Sequence, residues 1–169
     1  MFHTSYFRDS YNDFKSALKS YDKNFNESLF LKAIEVAETS HKDQFRASGD
    51  PYIVHPYEVC KSLIDLKLDT ETVITGLLHD VIEDTSYSSE QLNKEFGSSI
   101  FNLVNGLTKI DFLEEKKITK SEKEAENFRK LLISTAKDIR VLIIKLADRL
   151  HNIKTIHFFK DVEKRKSVS

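Results

Sequence analysis

The string LLHDVIEDT, residues 77–85, places two chemically capable pairs one turn apart: His79 with Glu83, and Asp80 with Asp84. Both pairs have the i,i+4 spacing of neighbours on a helix face. An imidazole and three carboxylates therefore crowd one helix end, directly behind a hydrophobic stripe. Burying even one unpaired carboxylate is costly, so such a group requires a cation, hydrogen bonds or contact with water. A second anomaly lies further on, where Asp148 interrupts the most apolar segment of the chain and is followed at three and four residues by His151 and Asn152. Lys145 or Arg149 would neutralise Asp148 as a structural ion pair, and water alone would satisfy the end that carries Glu83 and Asp84. A divalent cation shared by Asp148, His79 and Asp80 would account for both anomalies at once. His55, held between a Gly-Pro loop and Pro56, offers a further imidazole, or only a loop hydrogen bond. Two imidazoles and two carboxylates form a mixed N/O set suited to a first-row divalent ion such as Mn(II), with positions left for water and a phosphate oxygen. Glu83 and Asp84 would then lie about one turn, roughly 5 to 6 Å, from the ligands, in reach of an attacking water as orienting or proton-accepting groups. That chemistry is hydrolytic.

The elements that must position these groups read as helices. Phe14, Ala17, Leu18 and Tyr21 fall on one face between Tyr11 and Asn24. The set Phe30, Ala33, Ile34, Ala37, His41 and Phe45 repeats that spacing between Glu27 and Phe45. Ser48, Gly49 and Pro51 then break the period, predicting a loop over Arg46 to His55 and a helix from Pro56, in its first turn, to about Leu66. Thr70 reads as the N-cap of a central helix, ETVITGLLHDVIED, with a buried stripe of Val73, Ile74, Leu77, Leu78, Val81 and Ile82. Ser88 with Gln91 forms a capping box, Gly97 closes that short helix, and Ile100 to Leu107 carries another apolar face. A second capping signal, Ser121 with Glu124, follows an exposed, charged loop over Asp111 to Lys120. From Asp138 to Ile153, apolar residues occupy most of the helix circumference, so this helix is expected to run through the core.

Composition narrows the function classes. The 169 residues are 40% hydrophobic and 31% charged, which suits one soluble domain with one core. Lys and Arg number 26 against 27 Asp and Glu, and this balance of −1 gives no global positive field for nucleic acid or anionic lipid. A lone Cys60 excludes an intramolecular disulfide framework and thiolate-rich zinc sites, and fits a reducing, cytoplasmic setting. The four glycines stand apart at Gly49, Gly76, Gly97 and Gly106, so neither the dinucleotide fingerprint nor the P-loop can be written. Neither a secretory signal nor a stretch approaching the ~18 apolar residues of a membrane span is visible.

From His41 to about Lys166 the chain resembles the HD-type hydrolase domain of the RelA/SpoT family, which degrades the alarmone (p)ppGpp. The resemblance rests on HKDQFRASGDPYIVHP, TGLLHDVIEDT, FGSSIFNLVNGLTKI, AENFRKLL and DIRVLIIKLADRLHNIKT, in the family's order and near its spacing. It implies an all-α HD-domain helical bundle over residues 1–169, with a core over 27–158, an exposed loop at 111–120 and a truncated or frayed end at 159–169. It also implies Mn2+ bound by His55, His79, Asp80 and Asp148, with Glu83 and Asp84 acting on the attacking water. Arg46 matches a residue that packs on the guanine, and Asn152 and Thr155 match nucleotide-contacting positions. The implied reaction is hydrolysis of the 3′-pyrophosphate, giving GDP or GTP and pyrophosphate. Ala47 stands where the family often has Lys, and Asp43 where it often has Gly, both softening the local positive charge. The family's domain continues beyond Glu163 to Arg165 into further helices, whereas this chain ends at Ser169, so a homodimer or another partner covering an apolar patch is expected. Synthesis of the alarmone is not expected from these residues. Two other readings stand beside the hydrolase: a truncated remnant that binds nucleotide or a partner protein, and an HD phosphohydrolase acting on another nucleotide.

Overall fold

A computed structural model describes residues 5–111 and 137–156. Of the loop predicted at 111–120, Asp111 ends a helix and the rest lies outside the described residues, as do the capping pair Ser121 and Glu124 and the end at 159–169. Within them the chain is helical, and its one β-type pairing is an isolated bridge between Phe45 and Pro51.

Helix α1, Ser5–Tyr21, turns Tyr11, Phe14 and Leu18 into the core at helical spacing, upstream of the expected start of the core at residue 27. Helix α2, Glu27–Ser40, is capped by Asn26, whose side chain accepts from Leu29 N at 3.1 Å, and buries Phe30, Ala33, Ile34 and Ala37. It stops five residues before the expected Phe45, which is 68% exposed. The reason is tertiary: His41 is buried and stacked on Tyr52, so the chain must leave the helix and fold back. The return loop is closed by Arg46 N to Asp50 O and by Tyr52 N to Gln44 O, both 2.9 Å, with Gly49 at φ +91 where an L side chain would be strained.

Helix α3, Val54–Asp65, begins two residues before the predicted Pro56. Pro56 is tolerated there because the first turn needs no donor from it, and the earlier start places His55 on a helix rather than in a loop. Helix α4 spans Thr70–Leu78, and its N-cap is Asp69, which accepts from Thr72 N at 3.1 Å. Thr70, expected as the cap, is taken instead by Asp22, to which its backbone N–H donates at 2.8 Å and its hydroxyl also donates. All of α4 except Glu71 is buried, and it packs against α2, α3 and two helices later in the chain. Gly76 permits the close approach of α3, since a Cβ there would collide with Leu63 Cδ1 and lie 3.3 Å from Val59 Cγ1.

The expected central helix does not continue to Asp84. It breaks at His79 and Asp80, and a single turn, α5 (Val81–Asp84), follows. Helix α6, Ser89–Asp111, opens with the predicted capping box, Gln91 N to Ser88 Oγ at 3.2 Å and Ser88 N to Gln91 Oε1 at 3.1 Å. It kinks at Gly97, whose φ of 83 ends the first segment as the sequence predicts. Helix α7, Ile139–Lys154, buries Val141, Ile144, Ala147 and Asp148 against α3, α4 and α6. It does not run through the core, because Ile139, Leu146, Leu150 and Ile153 stay about half or more exposed on its other face.

Candidate functional site

Three helix ends converge where α3 starts, α4 stops and α7 approaches its last turn. His55, His79 and Asp80 each offer a ligand atom there, and these atoms all lie within 4.8 Å of one another. Asp148 joins through the histidines: its Oδ1 is 3.2 Å from His55 Nε2 and 3.9 Å from His79 Nε2. His79 Nε2 is also 3.0 Å from Asp80 Oδ2, and His55 Nε2 is 3.7 Å from the same oxygen. Both imidazoles and Asp148 are buried.

The end of α4 sets the chemical state of His79. Its Nδ1 lies 2.8 Å from Gly76 O, one of the carbonyls that a helix terminus leaves without an intrahelical donor. Donation to that carbonyl places the one hydrogen of the neutral ring on Nδ1 and leaves a lone pair on Nε2, which is buried and makes no well-directed hydrogen bond although Asp80 Oδ2 lies 3.0 Å away. An orphaned buried nitrogen, facing two carboxylates at the negative end of a helix, fits a divalent cation. Mixed imidazole and carboxylate donors suit a metal of borderline hardness.

The electrostatics agree with a site that attracts positive charge. Burial pushes His79 down, but Asp80 and Asp148 outweigh it and raise its pKa to about 9. Burial lowers His55 to about 4 despite its contact with Asp148. Asp80, which burial alone would raise, is held well below the usual carboxylate range by His79, His55 and the Tyr52 hydroxyl. Asp148 is lowered in the same way, against its burial, by His55, His79 and Lys145. Lys145 Nζ lies 3.3 Å from Asp148 Oδ2, so the structural ion pair weighed from sequence is present on one carboxylate oxygen while the other faces the histidines.

Glu83 and Asp84 are exposed on α5, at the edge of the cluster. Partial burial and the charge of Asp80 raise the pKa of Asp84 above its ordinary value. Tyr52 connects the two acids: its hydroxyl lies 2.6 Å from Asp80 Oδ2 and 2.9 Å from Asp84 Oδ2, and its single proton serves one of them at a time. Sequence reasoning gave Tyr52 no role; its place in GDPYIVH, three residues before His55, was the available signal. His41 and Gln44 complete this edge, with His41 Nδ1 2.7 Å from Gln44 Oε1 and Gln44 Nε2 donating to Asp84 O at 2.6 Å.

The three residues expected to contact nucleotide sit together beside the cluster. Arg46 Nη2 donates to Asn152 Oδ1 at 2.8 Å and to Thr155 Oγ1 at 3.3 Å, and its guanidinium lies 5.9 Å from the centre of the Tyr52 ring. Asn152 Nδ2 in turn donates to Asp148 Oδ1 at 2.7 Å. His151, on the same turn, places its Nδ1 2.7 Å from His55 Nδ1.

Comparison with known proteins agrees with this architecture. The HD domain family matches residues 33–168. The chain is 47% identical over 131 residues to a guanosine-3′,5′-bis(diphosphate) 3′-pyrophosphohydrolase of Haemophilus influenzae, covering 78% of this chain and 19% of that protein. It is 48% identical over 129 residues to a GTP pyrophosphokinase of Myxococcus xanthus, covering 76% and 17% respectively. The chain thus spans about one fifth of the length of the curated relatives it matches. A solved structure described as "A metazoan ortholog of SpoT hydrolyzes ppGpp and plays a role in starvation responses" superposes with a TM-score of 0.66 at 28% identity, covering 85% of this chain and 80% of that one. This chain belongs to the HD-domain family, in its RelA/SpoT branch.

Proposed function

We propose that residues 1–169 form one hydrolase domain that removes the 3′-pyrophosphate of (p)ppGpp, giving GDP or GTP and pyrophosphate, with Mn(II) as the metal. The observation that carries the reading is the orphaned, buried Nε2 of His79 among His55, Asp80 and Asp148, with two further acids one turn away. The relatives named for this reaction and the SpoT ortholog support the substrate. His55, His79, Asp80 and Asp148 would hold the cation, which would polarise a phosphoryl oxygen and stabilise charge developing there. Asp84, with its raised pKa, and Glu83 orient the attacking water and accept its proton. The water oxygen bonds to the phosphorus attached to the ribose 3′ oxygen, that O–P bond breaks, and the 3′ oxygen takes a proton. Arg46, Asn152 and Thr155 contact the nucleotide, and Arg46 exchanges its contacts with Asn152 and Thr155 for the ligand. The single, fully buried Cys60 suits a cytoplasmic enzyme.

The test is pyrophosphate release from ppGpp, pppGpp and a panel of other nucleotides at fixed Mn(II), on protein first shown to melt cooperatively. Preferential release from the two alarmones supports the reading. A clear preference for another nucleotide would replace the substrate, and silence from folded, metal-loaded protein would favour a binding role.

A further inference from the structure

We propose that His151 is a positioning residue for the cation site. It accepts the Nδ1 hydrogen of His55 and so keeps His55 Nε2 free to act as a ligand. The proposal rests on the metal set above.

The two Nδ1 atoms are 2.7 Å apart, and the rings lie 4.9 Å apart at an angle of 35°. Two ring nitrogens at that distance share one hydrogen, so one donates and the other accepts. The opposite edge of His55 decides which. Its Nε2 points toward Asp148 Oδ1 at 3.2 Å and Asp80 Oδ2 at 3.7 Å, and as a ligand it must present a lone pair. A neutral imidazole carries one N–H, so the hydrogen sits on His55 Nδ1, and the acceptor is His151 Nδ1. His79 reaches the same state by donating to Gly76 O. One imidazole is thus oriented by a backbone carbonyl and the other by a side chain.

Helix periodicity explains how the sequence supplies this. Asp148, His151 and Asn152 stand at i, i+3 and i+4 on α7, so one turn presents the carboxylate, an amide that donates to it, and the acceptor behind His55.

The experiment measures the dissociation constant of Mn(II) by calorimetry for the unmodified protein, His151→Leu, His151→Asn and Asp80→Ala. Each variant is melted in chelator to separate loss of fold from loss of affinity. Asn keeps an oxygen acceptor near the position of Nδ1, whereas Leu removes it. The expectation is affinity weakened about 10- to 100-fold in His151→Leu and restored to within about threefold in His151→Asn. Equal weakening in both, or none in His151→Leu, would overturn the positioning role while Asp80→Ala still loses the metal. Retention of Mn(II) by Asp80→Ala would overturn the metal set and the proposal with it. A second reading needs no variant: in long-range 1H–15N spectra with Zn(II) as a diamagnetic probe, His151 is expected in the Nε2–H tautomer. The Nδ1–H tautomer at His151 would overturn the assignment.

Discussion

Helices α4 and α7 both deliver groups to the candidate site, yet they are held in opposite ways. Eight of the nine residues of α4 are buried, packed against α2, α3, α6 and α7. Helix α7 buries one face and leaves Leu146 and Leu150 exposed on the other. Beside the buried Val141, Ile144 and Ala147, its end at the site is tied to other segments by polar contacts: Asp148 and His151 to His55, and Asn152 to Arg46. Dense packing fixes His79 at the end of a pillar, while a network of charge and hydrogen bonds draws Asp148 against it. Substitutions in α4 are therefore expected to cost stability, and substitutions on the inner edge of α7 to cost metal affinity.

The largest effect is expected where the two helices meet. Asp80→Ala should abolish Mn(II) binding and turnover together, whereas Glu83→Ala should leave the metal in place and slow turnover by about 10²- to 10⁴-fold. Calorimetry beside a pyrophosphate assay separates the two, and equal metal loss in both would contradict the assigned roles. Next comes the pillar itself. Gly76→Val would drive side-chain atoms into Leu63 and Val59, both fully buried, at a cost of about 1–3 kcal/mol in a denaturant melt. An unchanged midpoint would show that α3 and α4 are less tightly engaged than their geometry indicates.

Acidity offers a gentler probe of the same end of α4. In metal-free protein His79 is raised to about 9, the charges of Asp80 and Asp148 prevailing over burial. A histidine whose folded pKa lies above its unfolded value of about 6.5 contributes stability that is complete below that pH and lost as pH rises through about 9. Metal-free protein should therefore melt at a lower temperature at pH about 9.5 than at pH about 6.5, and His79→Gln should flatten the difference. A melting temperature that rises over this range in the unmodified protein would contradict the charge assignment. The smallest effect is expected on the outer face of α7, where Leu150→Gln should stay within about 0.5 kcal/mol of the parent. A larger loss would mean that this face is covered in solution.

The sequence was most legible where structure is local. The faces of α1 and α2, the Ser88–Gln91 box and the stop at Gly97 all follow from spacing and caps a few residues apart. The break at His79 was hidden because Val81 and Ile82 continue the apolar stripe of α4 across it. Phe45 fits the period of α2 and yet lies outside it, since the stack of His41 on Tyr52 joins residues that no local pattern connects. The apolar circumference of α7 signalled burial on all sides, but a period cannot reveal how many neighbours a helix has. At the site, the carboxylates and imidazoles declared themselves as anomalies in apolar segments, and the structure brings His55, His79 and Asp80 together with Asp148 alongside. Tyr52 carried no such mark, and His151 was marked only by its place three residues after Asp148. Their partners, Asp80 and His55, lie 28 and 96 residues away, and both side chains are ordinary in their own elements.

The most direct test of the account follows pyrophosphate release from ppGpp and Mn(II) binding in one titration of the same folded protein, with Asp148→Ala in parallel. Release should rise in proportion to occupancy of a single Mn(II) site, and the variant should lose both binding and release. Release that is indifferent to Mn(II), or absent when the site is full, would contradict the account.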